Sequence, residues 1–306
     1  MENRYSVLVE QAFAIRAQII ERHLQGKLSY ERDMATLAHE IVLMDRLNQT
    51  FAVGQLFLAM GAIEFHRGHF IAAYDYVLSA LRSFEEVGNE ERIISALNNL
   101  GEINRQWGKH AEALDYYTQG LDRASTSQDW NLMALLHNNI GMLYLEQGQA
   151  AQAQEHFRQA LEYSARLTPR STVESETYTG IARACLALDD MDGAWQAAEH
   201  ALALGQEHNH SLDIATAYRT LGIVAARVAD RGDDPAAYFK QSRDIFLACG
   251  AQAEYARTQL AEGRWWLEIG QSERAAELLT QARDKLAALK LVDEAAEAQR
   301  LLDNLA

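Results

Sequence analysis

Leu97-Asn98-Asn99-Leu100-Gly101, followed by Trp107-Gly108, Ala113, Tyr117 and Leu121, is answered forty positions later by His137-Asn138-Asn139-Ile140-Gly141, Gln147-Gly148, Ala153, Phe157 and Ala160-Leu161. Small residues recur at fixed places, and large apolar residues recur between them. The apolar positions follow a helical period rather than a strand alternation. A glycine inside a helix costs roughly 1 kcal/mol relative to alanine. Gly61, Gly101, Gly141, Gly222 and Gly263 nevertheless fall inside helical patterns. Close approach of a neighbouring helix backbone is the expected compensation. The pattern therefore predicts an all-α array of stacked helical hairpins, with no strand anywhere.

Working outward, a 40-residue period divides 306 residues into about seven helix pairs and a remainder. Residues 1–48 read as a degenerate N-terminal pair, 49–289 as six repeats and 290–306 as a C-terminal capping helix. Ser29 and Asn89 are expected to cap helices, and Ser171-Thr-Val-Glu174 fits a capping box. Pro169 and Pro235, the only two prolines, fall at expected helix boundaries. The turn before Pro235 is one residue longer than its counterparts.

Composition excludes several classes of function. The net charge of −15, from 43 acidic and 28 basic residues, argues against nucleic acid as a partner. No apolar run is long enough to span a membrane, and the N-terminus does not resemble a signal peptide. Cys185 and Cys249 lie in separate repeats, which points to a reducing, cytoplasmic setting without a disulfide framework. Glu207-His-Asn-His210 and His66-Arg-Gly-His69 lack further ligands at metal-binding spacing, so neither metal nor cofactor is expected. Trp266 occupies a core position, which makes Trp265-Trp266 packing rather than a stacking platform. No phosphate loop, dinucleotide fingerprint or nucleophile elbow occurs, and no enzyme activity is expected.

Leu100-Gly101, Gly108, Ala113, Tyr117 and Ala160-Leu161 resemble the tetratricopeptide repeat. The usual period is 34 residues. The longer period and the Asn-Asn-Leu-Gly phrasing are similar to the repeats of LGN, kinesin light chain and bacterial peptide-sensing regulators. This resemblance implies a right-handed superhelix whose concave wall, made by the first helix of each pair, holds a peptide of another protein.

On that geometry the wall includes Asn98, Asn99 and Arg105, then Asn138, Asn139, Met142 and Leu145, then Arg183, Arg219, Arg227, Arg257 and Arg264. Asn99 and Asn139 fall where related repeats grip peptide backbone, since an amide both donates and accepts. Leu58, Phe65, Met142 and Leu145 are the apolar anchors. The arginines of the last three pairs suit an acidic peptide or a C-terminal carboxylate. The leading expectation is a non-catalytic adaptor or sensor. Two alternatives stay open: a self-associating scaffold, and the sensory region of a regulator whose effector domain lies elsewhere.

Overall fold

The computed structural model describes residues 2–24, 27, 29–168, 173–228, 232, 234–289 and 291–305, without the side chains of 2–5 and 24. Fifteen helices fill the described residues, with no strand among them. They are α1 (Glu2–Leu24), α2 (Tyr30–Arg46), α3 (Thr50–His66), α4 (Phe70–Val87), α5 (Glu90–Gln106), α6 (His110–Ser127), α7 (Trp130–Glu146) and α8 (Ala150–Ser164). The remainder are α9 (Glu174–Ala187), α10 (Met191–Glu207), α11 (Ser211–Arg227), α12 (Pro235–Ala248), α13 (Gln252–Glu268), α14 (Ser272–Ala288) and α15 (Val292–Asp303). Odd-numbered helices open each pair and even-numbered helices close it. The architecture is a helical-hairpin solenoid of the tetratricopeptide type, seven pairs with a fifteenth helix after them.

Two compact units result, Met1–Leu136 and His137–Ala306, and neither has a single centre. The core is a series of clusters between successive helices. In the first unit, Ala73, Val77, Ala80 and Phe84 of α4 close on Ile93, Ala96, Leu97 and Leu100 of α5. In the second, Ala194, Trp195 and Ala198 of α10 meet Leu221, Val224 and Ala225 of α11.

The interior glycines explain this stacking, by a route that differs from the expected backbone approach. What faces each glycine is a side chain of the following helix. A Cβ built on Gly101 would lie 2.5 Å from Tyr117 Cδ1, and one on Gly141 would lie 2.6 Å from Phe157 Cε1. Gly61 faces Val77, Gly222 faces Phe239 and Gly263 faces Leu279 in the same manner. The spacing is sixteen residues in each case, and seventeen for Gly222 and Phe239, whose connecting turn has the extra residue. Phe157 is held from both sides, because a Cβ on Gly180 of α9 would sit 2.7 Å from its Cε1. Tyr117, Phe157 and Phe239 are fully buried. Burying such a ring is worth about 1.5–3 kcal/mol, which exceeds the propensity loss of the glycine beneath it.

Between paired helices, Gly108 and Gly148 have φ of 78° and 73°, a left-handed turn that glycine adopts at no steric cost. Asn89 caps α5 as expected, its Oδ1 accepting from the Arg92 amide at 3.0 Å. Pro235 begins α12, and Asp234 caps it through the Ala236 amide at 3.0 Å. Ser29 departs from expectation. Its side chain makes no cap bond; instead its backbone amide donates to Asp33 Oδ2 at 2.9 Å. Pro169 and the start of the expected capping box at Ser171 lie outside the described residues. Glu174, the last residue of that box, is buried and accepts from Ser164 Oγ at 2.5 Å.

Replacing Gly101 with alanine improves intrinsic helix propensity but drives a methyl group into the Tyr117 ring. Thermal denaturation should show a net loss of about 1–2 kcal/mol. An unchanged or higher Tm contradicts the slot.

Candidate functional site

In the first unit α5 carries Asn98, Asn99 and Arg105 of the expected wall. Asn99 is exposed and Asn98 half-buried. Arg105 is not free to meet a ligand carboxylate. Its Nε and Nη2 donate to Glu102 at 3.0 and 2.6 Å. Gln106 Nε2 and the Tyr117 hydroxyl donate to the same carboxylate at 3.2 and 3.1 Å. Burial pushes the Glu102 carboxyl upward, but Arg105 and these hydrogen bonds outweigh it and hold it below the usual range. Arg105 therefore secures the ring in the Gly101 slot. Leu58 and Phe65 are half-buried and pack on the α4–α5 cluster, so only part of each can serve as an anchor.

In the second unit Asn138 and Asn139 have different surroundings. Asn138 is fully buried; Thr177 Oγ1 donates to its Oδ1 at 3.1 Å, and its Nδ2 donates to Asn139 Oδ1 at 3.3 Å. Asn138 ties α7 to α9 and has no surface for a peptide. Asn139 is half-buried. Met142 and Leu145 rest on Ala153, Phe157 and Ala184, and Arg183 Nη1 lies 4.0 Å from Met142 Sδ.

Three arginines of α11 and α13 are charge-compensated. Arg219 Nη1 donates to Glu254 Oε2 at 2.7 Å. Arg257 forks onto Glu294 with two bonds of 2.8 Å and also contacts Glu254. Arg264 pairs with Glu297. Burial raises the Glu254 carboxyl, yet Arg219 and Arg257 together hold it below its ordinary value. Hydrogen bonding to Glu294, against burial, raises Arg257 above the ordinary arginine value. Arg183 and Arg227 are exposed, and Arg227 has no ion pair among the described residues. A ligand carboxylate at Arg219, Arg257 or Arg264 would have to displace an internal one. The sequence reading missed this because Glu254 lies beside the assumed wall positions of α13, and Glu294 and Glu297 lie on α15, to which no wall position was assigned.

Two further groupings were also missed. His137 and His156 approach Nδ1 to Nδ1 at 3.0 Å, flanked by Tyr163 and Tyr144 at ring separations of 5.4 and 5.3 Å. The signal was present in the repeat itself, since His137 occupies the slot of Leu97. Near His208 and His210, a cleft of about 360 Å³ is lined by Val173, Glu176 and Asp213. His210 Nδ1 is tied to Asp213 at 2.7 Å, and no group of three metal-ligating side chains forms among the described residues. Trp266 packs on the α13–α15 cluster as expected.

Burial first, and then the neighbouring His156, lowers His137 to about 4 from an ordinary value near 6.5. The unfolded chain thus binds more protons between these values, and stability should fall as pH drops through that window. Replacing His137 with the leucine of the sister repeat should flatten the dependence of Tm on pH between about 6.5 and 4. A slope identical to that of the unaltered chain counts against the pair.

The family model of the MalT-like TPR region matches residues 10–306. Among solved structures, the Rap conjugation gene regulator of plasmid pLS20, in complex with the Phr* peptide, superposes with a TM-score of 0.72. Sequence identity is 12%, over 96% of this chain and 79% of that one. The apo form of RapI gives 0.70 at 13% identity, over 96% and 99% of the two chains. A Rap protein complexed with competence and sporulation factor gives 0.65 at 16% identity, over 100% and 98%. At such identities the likeness is one of fold. The human cell division cycle protein 16 homolog is 38% identical over 65 residues, 20% of this chain and only 10% of that protein. No helix among the described residues is long and apolar enough to cross a membrane. With paired helices in constant register and a family match from residue 10 to the last, this chain belongs to the MalT-like TPR region family.

Proposed function

We propose that the chain is a non-catalytic adaptor or sensor that binds a peptide segment of another protein along the first helices of its repeats. The observation that carries this reading is its likeness, over 96% of its length, to a repeat regulator solved with a peptide bound. The exposed amide of Asn99 supports it from the chemistry of the groove. Such an amide matches one peptide group in both donor and acceptor, whatever the peptide's sequence. Asn139, half-exposed in the second unit, is assigned the same role there. Asn138 is excluded from it by burial. Helices fixed by ring-in-slot packing would order only the incoming peptide, which limits the entropic cost of binding.

Arg219, Arg257 and Arg264 do not make an acidic clamp in this reading, because their charge is already matched. They fix the relative placement of α11, α13 and α15. The expected setting is cytoplasmic.

Peptide binding can be tested by probing an array of short synthetic peptides with the unaltered chain and with Asn99→Ala. Retention by a subset of peptides, weakened about tenfold by the substitution at unchanged Tm, is the expected result. Equal retention by the two proteins would remove Asn99 from the site.

A further inference from the structure

Arg219, Arg257 and Arg264 are each neutralised by a carboxylate of a neighbouring helix, but two half-buried arginines of the first unit are not. Arg16 of α1 and Arg92 of α5 are half-buried, and neither forms an ion pair among the described residues. Arg16 Nη1 donates to Gln55 Oε1 on α3 at 3.3 Å. Gln55 is only 5% exposed, and its amide nitrogen makes no hydrogen bond among the described residues. Arg16 Nε is buried and also lacks an acceptor. Burial and then the charge of Arg92 lower the pKa of Arg16, which places the two guanidiniums in one electrostatic neighbourhood.

Register shows what is missing. In the second unit Arg257 is the sixth residue of α13, and it meets Glu294, the third residue of α15. Glu254, the third residue of α13, meets Arg219 of α11. The same two slots in the first unit hold Gln55, sixth in α3, and Arg92, third in α5. Where the second unit supplies a carboxylate, the first supplies a second cation. An unmatched pair of half-buried cations in a chain of net charge −15 is an unfavourable arrangement without an anion to complete it.

We propose that Arg16, Gln55 and Arg92 form an anchor for a carboxylate of the bound peptide. The inference rests on the peptide-binding reading and refines it: the acidic group docks in the first unit rather than at the arginines of α11 and α13. Guanidinium and amide donors from three helices suit the planar oxygens of one carboxylate.

The test uses the full chain and three surfaces coated with pentapeptides attached through their N-termini, random in sequence but free of aspartate and glutamate except where stated. One ends in a free carboxylate, one ends in a carboxamide, and one ends in a carboxamide but carries a glutamate. The free-acid or the glutamate surface should retain the chain about tenfold more than the neutral one, and which of them does so separates a chain terminus from a side chain. Arg92→Gln should abolish this preference. Gln55→Glu, which introduces an internal carboxylate beside Arg16, should abolish it while raising Tm, so loss of folding cannot explain the effect. Equal retention by acidic and neutral surfaces overturns the anchor but leaves peptide binding intact; retention by none contradicts both. Persistence of the preference in Gln55→Glu also overturns it. So does calorimetric binding of inorganic phosphate alone as tightly as the acidic peptides, since that marks a general anion site.

Discussion

A ring seated over a glycine sets the register of this molecule. Each such contact joins the first helix of a pair to the second at a fixed interval, from Gly101 to Tyr117 and from Gly141 to Phe157. A side chain at the glycine would hold the ring off, and a smaller residue at the ring would leave a void. Either change costs packing in a core too thin to redistribute it. Phe157 extends the constraint, since it sits between Gly141 of its own pair and Gly180 of the next. The same contact thus closes one hairpin and seats its neighbour.

Once register is fixed, corresponding faces of the first helices are presented repeatedly, and electrostatics differentiates them. In the second unit, glutamates near the helix starts meet arginines of the preceding first helix and neutralise them. Carboxylates in the first turn also complement the helix dipole. Arg92 occupies that first-turn slot in α5 with the opposite charge, and Arg16 adds another. One architecture therefore offers positions whose charge is matched internally and positions whose charge is not. The distinction comes from side chains at equivalent positions, with the backbone plan unchanged.

Much of this was legible in the sequence because a helical hairpin is a short-range object. The glycine and ring positions lie sixteen residues apart, the Asn89 cap acts three residues away, and Pro235 marks its own boundary. What escaped depended on longer separations or on small rotations about a helix axis. Arg257 and Glu294 are 37 residues apart, and Glu294 falls just outside the assumed wall. Asn98 and Asn138 share one repeat position, yet Thr177 draws Asn138 inward as a buried bridge. Ser29 has the residue type of a cap, but Asp33 reaches back to its amide instead. Residue type identified the repeat, while burial decided which of its polar side chains remain accessible.

A double-mutant cycle at Gly141 and Phe157 tests the central constraint most directly. Gly141→Ala and Phe157→Leu should each destabilise the chain when made alone. Leucine leaves room for the new methyl group, so the combined variant should lose less than the sum, with a coupling of about 1 kcal/mol or more. Strict additivity would show that the ring and the glycine do not depend on one another, and would contradict the account.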